Sequence, residues 1–185
     1  MRTFLIILVL IFSFQSLTKA EGIEDFEIEG IAIGDSILDF YSEKKIKANL
    51  KDWFLPKYSV TVIEEQRGIY DEMQLIYRSN DKKYIIVGIS GVKFTDPKYC
   101  LEKIDNVASE IKDIFSKEIT MRKKKKSKHS SDKSGKSKVT DIMFKLKKNK
   151  DLIIVACYDW SEKTEYWDNL RISVRTKEYD KYISR

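Results

Sequence analysis

The alternation of apolar and polar positions divides the chain into short strands separated by amphipathic helices. Residues 58–64 (YSVTVIE) alternate and are rich in β-branched side chains, and residues 69–78 (IYDEMQLIYR) alternate again. Residues 83–89 (KYIIVGI) are almost wholly apolar and follow the turn sequence SNDK. These three segments predict strands that pair as an antiparallel meander.

The clearest helix is predicted directly after these strands. Thr95, Asp96 and Pro97 form a start signal, with a capping side chain followed by a proline in the first turn. Apolar residues then recur at helical spacings of three and four, at Leu101, Ile104, Ala108, Ile111 and Phe115. An overlapping stripe includes Cys100, which we therefore expect to face whatever this helix packs on.

Three more strands are predicted at residues 139–146, 152–160 and 170–176, with a short terminal helix after them. Upstream of the first meander, Ser36 and Asp39 match the Ser-x-x-Asp capping pattern, which predicts two short helices ending near Leu50. The expected order, α-βββ-α-βββ, is typical of a single α+β domain with helices packed on one face of an antiparallel sheet. Whether the halves are a structural duplication stays open, because no residue pattern repeats.

The N-terminus has the features of a secretory signal peptide at residues 1–20. Arg2 precedes an 11-residue apolar run at residues 4–14, and small residues stand at Thr18 and Ala20. That run is shorter than the roughly 20 residues that span a bilayer, and an uncleaved anchor is the alternative. We expect residues 21–185 to form one domain in the periplasm or outside the cell.

Positive charge is concentrated in one segment. Residues 122–138 (RKKKKSKHSSDKSGKSK) hold nine basic residues against Asp132, a net charge of +8, whereas the whole chain carries +6. The remainder is therefore acidic on balance. We expect a mobile, solvated lysine-rich loop. Its candidate binding residues are Arg122, Lys123, Lys124, Lys125, Lys126, Lys128, Lys133, Lys136 and Lys138.

Two interpretations of this loop stay open. It contacts an anionic lipid, a polyanionic envelope polymer or an envelope protein, or it only keeps the protein soluble. Nucleic acid is not favoured, because no aromatic residues alternate with the lysines to stack on bases. The aromatic residues between Tyr158 and Leu170 are interpreted mainly as core and rim residues, with a groove lining as the alternative.

The two cysteines, Cys100 and Cys157, predict a disulfide. An even number of cysteines in an exported chain favours a disulfide bond. Cys157 can reach Cys100 if its strand faces the long helix. Two separate buried thiols are the alternative.

One short motif raises the question of catalysis. GDSILD at residues 34–39 resembles the first block of the GDSL esterases and lipases, which implies Ser36 as the nucleophile of a small serine hydrolase. The later blocks of that family are missing: Arg78 stands where the third block needs glycine, and His129, the one histidine, lies among lysines. Because a serine without a base is a weak nucleophile, we interpret Ser36 as a helix cap and expect no catalytic residue.

Metal and nucleotide sites are not expected either. One histidine, two distant cysteines and scattered carboxylates lack the spacing of zinc or calcium ligands. SGKS at residues 134–137 lacks the first glycine of a phosphate-binding loop. The sequence therefore predicts no metal and no cofactor.

A wider resemblance covers much of the chain loosely. IEGIAIGDSILDFYSEKKI, KHSSDKSGKS, ACYDWS and WDNLR are similar to segments of small exported bacterial proteins of uncharacterised function. The resemblance implies export and a shared fold, without a catalytic residue. We expect a non-catalytic binding or envelope-associated module, with the Ser36 hydrolase as the alternative.

Overall fold

A single antiparallel sheet of eight strands forms the centre of the protein. The computed structural model describes residues 22–64 and 68–184. The strands are β1 (Leu50–Lys51), β2 (Tyr58–Glu64), β3 (Glu72–Arg78), β4 (Ile86–Phe94), β5 (Ile119–Lys128), β6 (Lys138–Leu146), β7 (Leu152–Asp159) and β8 (Asn169–Arg175). The α-helices are α1 (Glu43–Ala48), α2 (Pro97–Phe115) and α3 (Lys177–Ile183).

The element order repeats in the two halves of the chain. A helix and four strands, α1 with β1 to β4, are followed by α2 with β5 to β8. The spatial order of the strands, β1-β2-β3-β4-β8-β7-β6-β5, is symmetric about the pair β4 and β8. Each half is thus a meander of neighbours in sequence. The two halves meet in one seam, in which Gly88 to Phe94 pair with Arg175 to Asn169.

Helices α1 and α2 cover one face of the sheet. Asp96 caps α2 by accepting a hydrogen bond from the backbone N–H of Tyr99 (2.9 Å), as the start signal predicts. The buried stripe of the helix is Cys100, Ile104, Ala108, Ile111 and Phe115. The facing strands contribute apolar side chains such as Ile153, Val155 and Val174 to the same core. The predicted disulfide is confirmed, and it joins α2 to β7 through Cys100 and Cys157.

The opposite face is covered by a helix at one end only. Tyr179 of α3 is 2% exposed and packs against Tyr58, with 5.1 Å between ring centroids. It also lies over Gly88, where an added Cβ would come within 2.9 Å of the ring. Glycine there lets α3 approach the sheet. Beyond α3, no helix of the described residues packs on this side of the sheet. We call it the open face.

The single α+β domain with an antiparallel sheet agrees with the prediction, but two details differ. Each half has four strands instead of three, because β1 and β5 were not predicted. Strand β1 has two residues, too few for a pattern, and β5 is an edge strand in which only Ile119 is buried. The helices do not share one face, since α3 lies opposite α1 and α2.

Within residues 22–64 and 68–184, no helix combines the length and apolar character needed to cross a membrane. The predicted signal peptide at residues 1–20 lies outside the described residues.

Candidate functional site: a groove on the open face

A groove of about 480 Å³ lies on the open face, beyond the end covered by α3. Its floor is formed by outward-facing side chains of β2, β3, β4, β8 and β7, which the strand registers place on one side of the sheet. The floor residues include Val62, Gln74, Val92, Tyr158, Asn169 and Arg171. Its walls come from the β1–β2 connection, the β5–β6 hairpin and the β7–β8 loop.

Aromatic side chains form most of the walls. All three tryptophans of the chain, Trp53, Trp160 and Trp167, line the groove. The ring of Trp160 stacks on Tyr158 with 5.7 Å between centroids and contacts Tyr166 at 4.6 Å. Trp167 is 74% exposed, which is unusual for so large a side chain outside a binding surface. The aromatic residues that the sequence placed mainly in the core or rim therefore line a groove.

The tip of the β5–β6 hairpin is tied to the β7–β8 loop through Asp132. Its carboxylate accepts hydrogen bonds from the hydroxyl of Ser137 (2.7 Å) and from both the backbone and the hydroxyl of Ser134 (2.8 Å). These bonds, that of Ser137 first, hold the pKa of Asp132 well below its usual range. The Ser137 hydroxyl also accepts a bond from the backbone N–H of Ser161 (3.0 Å), so the two walls of the groove are connected.

His129 stands in the wall at the base of this hairpin tip. Its ring lies 4.4 Å from that of Trp160 and 5.7 Å from that of Tyr158, between centroids. Its Nδ1 accepts a hydrogen bond from the backbone N–H of Ser131 (3.2 Å). Burial, followed by the positive charge of Arg171, lowers the pKa of His129. The imidazole is therefore neutral at neutral pH.

Two polar atoms at the floor of the groove are buried without a hydrogen-bond partner among the described residues: Asn169 Oδ1 and Arg171 Nε. Asn169 is 2% exposed, and its Nδ2 donates to the carbonyl of Trp167 (2.8 Å), which fixes Oδ1 as the unpaired atom. The Arg171 guanidinium lies 4.5 Å from the centroid of the Tyr158 ring. An unpaired buried polar group costs about 1–3 kcal/mol, so a hydrogen-bond partner at either atom would stabilise the protein.

The opposite side of the floor is acidic. Glu64 on β2 pairs directly with Glu72 on β3, Glu72 with Val92, and Val92 with Arg171 on β8. Like charges directly opposite each other on neighbouring strands are destabilising. Gln74 donates a hydrogen bond to Glu72 (3.3 Å), but within residues 22–64 and 68–184 neither carboxylate has a cationic partner.

The lysine-rich segment forms a hairpin, with residues 129–137 as its connecting turn. Residues up to Lys128 belong to β5, and Lys138 begins β6. Charged side chains are compatible with this strand because it is the edge of the sheet, where they discourage pairing with other chains. Arg122 forms an ion pair with Asp141, and Lys124 pairs with Asp105.

The groove takes none of the predicted cations of this segment, although His129 and Ser131 of the same hairpin line it. The exposed candidates that form no ion pair with a described carboxylate are Lys123, Lys125, Lys126, Lys128, Lys133 and Lys136. The basic surface therefore lies next to the groove and not inside it.

Ser36 occupies a structural position. Its hydroxyl accepts from the backbone N–H of Leu38 (3.2 Å), capping a short 3₁₀ turn at Ile37–Asp39, and donates to the carbonyl of Lys83 (2.7 Å). Its hydroxyl proton is thus directed at a backbone oxygen and not at a base. His129 lies in the groove wall, which does not include Ser36.

Comparisons with known proteins add no identity: no family model, curated protein or solved structure matches the chain. The resemblance to small exported bacterial proteins therefore stays a prediction. Within the described residues no group of three or more histidine, cysteine or acidic side chains is arranged to hold a metal ion.

Sequence reasoning did not single out Trp53, Asn169, Arg171, Glu64 or Glu72. Glu64 and Glu72 are far from Asn169 and Arg171 in the chain, and the pairing of β2, β3, β4 and β8 brings the two pairs together. One local signal for the hairpin tip was available: Asp132 followed two residues later by Ser134 is a turn pattern in which the carboxylate binds the backbone.

Proposed function

We propose that this protein is a non-catalytic binding protein and that the groove on the open face holds its ligand. The observation that carries the proposal is the pair of unpartnered buried atoms, Asn169 Oδ1 and Arg171 Nε, at the floor of an aromatic-walled groove. Pockets of this kind, with many aromatic side chains and a few convergent polar groups, are the usual form of small-molecule sites.

The chemistry of these two groups favours binding over catalysis. An amide oxygen only accepts hydrogen bonds, and a guanidinium remains protonated in proteins, so neither transfers a proton at neutral pH. Together they offer one acceptor and one charged donor to a ligand that carries the complementary pair. The surrounding rings contribute apolar contact area with little loss of side-chain freedom.

Intrinsic fluorescence tests this proposal directly, because all three tryptophans line the groove. We would titrate the protein with panels of amino acids, short peptides, sugars, uronic acids and dicarboxylates, recording tryptophan emission and melting temperature. At least one class should shift both signals, and Arg171→Gln should diminish the shift at equal ligand concentration. Arg78→Gln is the matched control, since Arg78 is exposed, pairs with Glu178 and lies outside the groove. No response from any panel, or an undiminished response in Arg171→Gln, would remove the groove as the site.

The basic hairpin supports a second candidate function, contact with an anionic lipid or envelope polymer. The supporting observation is the row of exposed lysines along the edge strand β5 and its turn, most of them without a carboxylate partner in the described part of the chain. Each cation near an anionic surface contributes up to about 1 kcal/mol to binding.

This second candidate is tested by removing charge without removing the strand. One variant changes four hairpin lysines to glutamine: Lys123, Lys126, Lys133 and Lys136. The matched control makes the same change at four exposed lysines elsewhere: Lys44, Lys82, Lys98 and Lys148. Binding to vesicles containing phosphatidylglycerol, and to dextran sulfate, should fall at least tenfold in the first variant only. Equal losses in both variants would show that net charge alone is responsible.

Export is part of the same proposal. The disulfide between Cys100 and Cys157 supports it, because such bonds persist mainly in oxidising compartments. Mass spectrometry of the protein recovered from its native cells should find a chain that begins at residue 21. A chain that retains residues 1–20 would favour the anchored alternative.

A further inference from the structure

Three charged side chains on the floor of the groove, those of Glu64, Glu72 and Arg171, lie in one row across the sheet, whereas Lys51 and Glu165 line the groove outside this row. Glu64, Glu72, Val92 and Arg171 are consecutive partners on β2, β3, β4 and β8, and the strand registers place all four side chains on the open face. All four line the groove. The row therefore has a negative end, an apolar middle and a positive end.

The spacing of this row is fixed by the sheet. Neighbouring strands lie about 4.8 Å apart, so the backbone positions of Glu72 and Arg171, two strands apart, are separated by about 10 Å. A peptide of three residues spans at most about 10 Å when it is extended. The two charged ends of such a peptide match the two ends of the row.

From this match we propose that the ligand of the groove is a short peptide of about three residues with free ends. Its carboxylate binds the Arg171 guanidinium, and its ammonium group binds between Glu64 and Glu72. The inference rests on the proposed binding function and gives its ligand class.

Two further observations favour a peptide over a simple ion. Asn169 is 2% exposed, and its Oδ1 lacks a donor among the described residues. A peptide supplies such a donor, because an amide N–H stands next to its terminal carboxylate. The aromatic walls, Trp53 on one side and Trp160 and Trp167 on the other, provide apolar surface for side chains without selecting one particular residue.

The two carboxylates at the acidic end of the row also favour a ligand that carries an ammonium group. Glu64 and Glu72 face each other across neighbouring strands without a described cation between them, which disfavours the folded chain. A bound ammonium group neutralises this repulsion, just as a bound carboxylate provides an acceptor for Arg171. Both ends of the row are therefore complementary to a zwitterion.

The test changes the ligand first, so that it does not depend on the folding of a variant. The probes are trialanine, its N-acetyl derivative and its C-terminal amide, titrated into the wild-type protein by calorimetry and tryptophan fluorescence. Trialanine should bind at least tenfold more tightly than either blocked peptide, and more tightly than dialanine. Equal affinities for the free and blocked peptides would overturn the proposal.

Two variants then test which residue binds each end of the peptide. Arg171→Gln should remove the preference for the free carboxylate and keep the preference for the free amine, and Glu72→Gln should do the reverse. If another class of compound binds in an Arg171-dependent manner and trialanine does not, the binding function stands and the peptide assignment fails. If no compound of any class alters the tryptophan emission, both fail together.

Discussion

Breaking the disulfide between Cys100 and Cys157 should remove a large share of the stability of this protein. The two residues are 57 positions apart. A cross-link that closes a loop of this length lowers the entropy of the unfolded chain enough to stabilise the fold by about 4 kcal/mol. For a domain of this size, 1 kcal/mol corresponds to a change of about 2–4 °C in melting temperature, so reduction should lower it by about 8–16 °C.

Urea denaturation at neutral pH, with and without a reductant, measures this difference on identical side chains. The double variant Cys100→Ala/Cys157→Ala is the control, because its stability should not respond to reductant. The oxidised protein should also show the smaller dependence of unfolding free energy on urea, since its unfolded state exposes less surface. Both cysteines are buried, at 0% and 3% exposure, so a strong denaturant must accompany the reductant when the bond is first opened.

A stability difference below about 1 kcal/mol between the oxidised and reduced forms would refute this reasoning. It would mean that the unfolded chain between the two cysteines is already restricted without the bond, so that closing the loop removes little entropy. Residual structure in a segment that contains the long helix α2 would be the physical cause to examine.

Three smaller predictions follow from single side chains. Ser36→Ala should lower the free energy of unfolding, measured with urea, by about 1 kcal/mol, because the cap is lost. The wild-type protein should not react with a serine-directed fluorophosphonate. Covalent labelling that disappears in Ser36→Ala would restore the hydrolase hypothesis. Gly88→Ala should cost about 1–3 kcal/mol because the new methyl group meets Tyr179, and an unchanged melting temperature would mean that α3 is not docked there. His129 has a lowered pKa, so the unfolded chain binds its proton more readily than the folded one, and stability should fall as the pH decreases through about 6.5. Melting curves between pH 7.5 and 5.0 should show a smaller loss for His129→Gln than for the wild type, and parallel losses would contradict the assignment.

The elements that could be predicted are those whose apolar residues in the sequence are also the residues that the structure buries. Helix α2 has a capping aspartate, a proline in its first turn and a continuous apolar stripe, so its start and its buried face follow from the sequence. Most residues of strands β2, β3 and β7 are buried, and their alternating or continuous apolar residues could be read as strands. Strand β5 could not be recognised in the same way, since an edge strand needs few buried residues and this one is rich in lysine.

The groove could not be predicted because it depends on the pairing of distant segments. The seam between β4 and β8 brings Val92 next to Arg171, and β3 adds Glu72 beyond them. Asn169 lies two residues before Arg171, but nothing local in the sequence indicates that Tyr158 and Val92 will also be its neighbours. Tryptophans in polar loops, such as Trp167, were the one available sign of an exposed aromatic surface.

The symmetric strand order also determines when the sheet becomes complete during synthesis. The first half of the chain ends with β4 at Phe94, but the partner of β4, strand β8, begins only at Asn169. Until the ribosome has made those later residues, the hydrogen-bonding edge of β4 has no partner, while Ile86, Ile89 and Val92 are already present in the emerging strand. A chain halted before residue 169 should therefore expose an unpaired β-edge, which favours pairing with other chains.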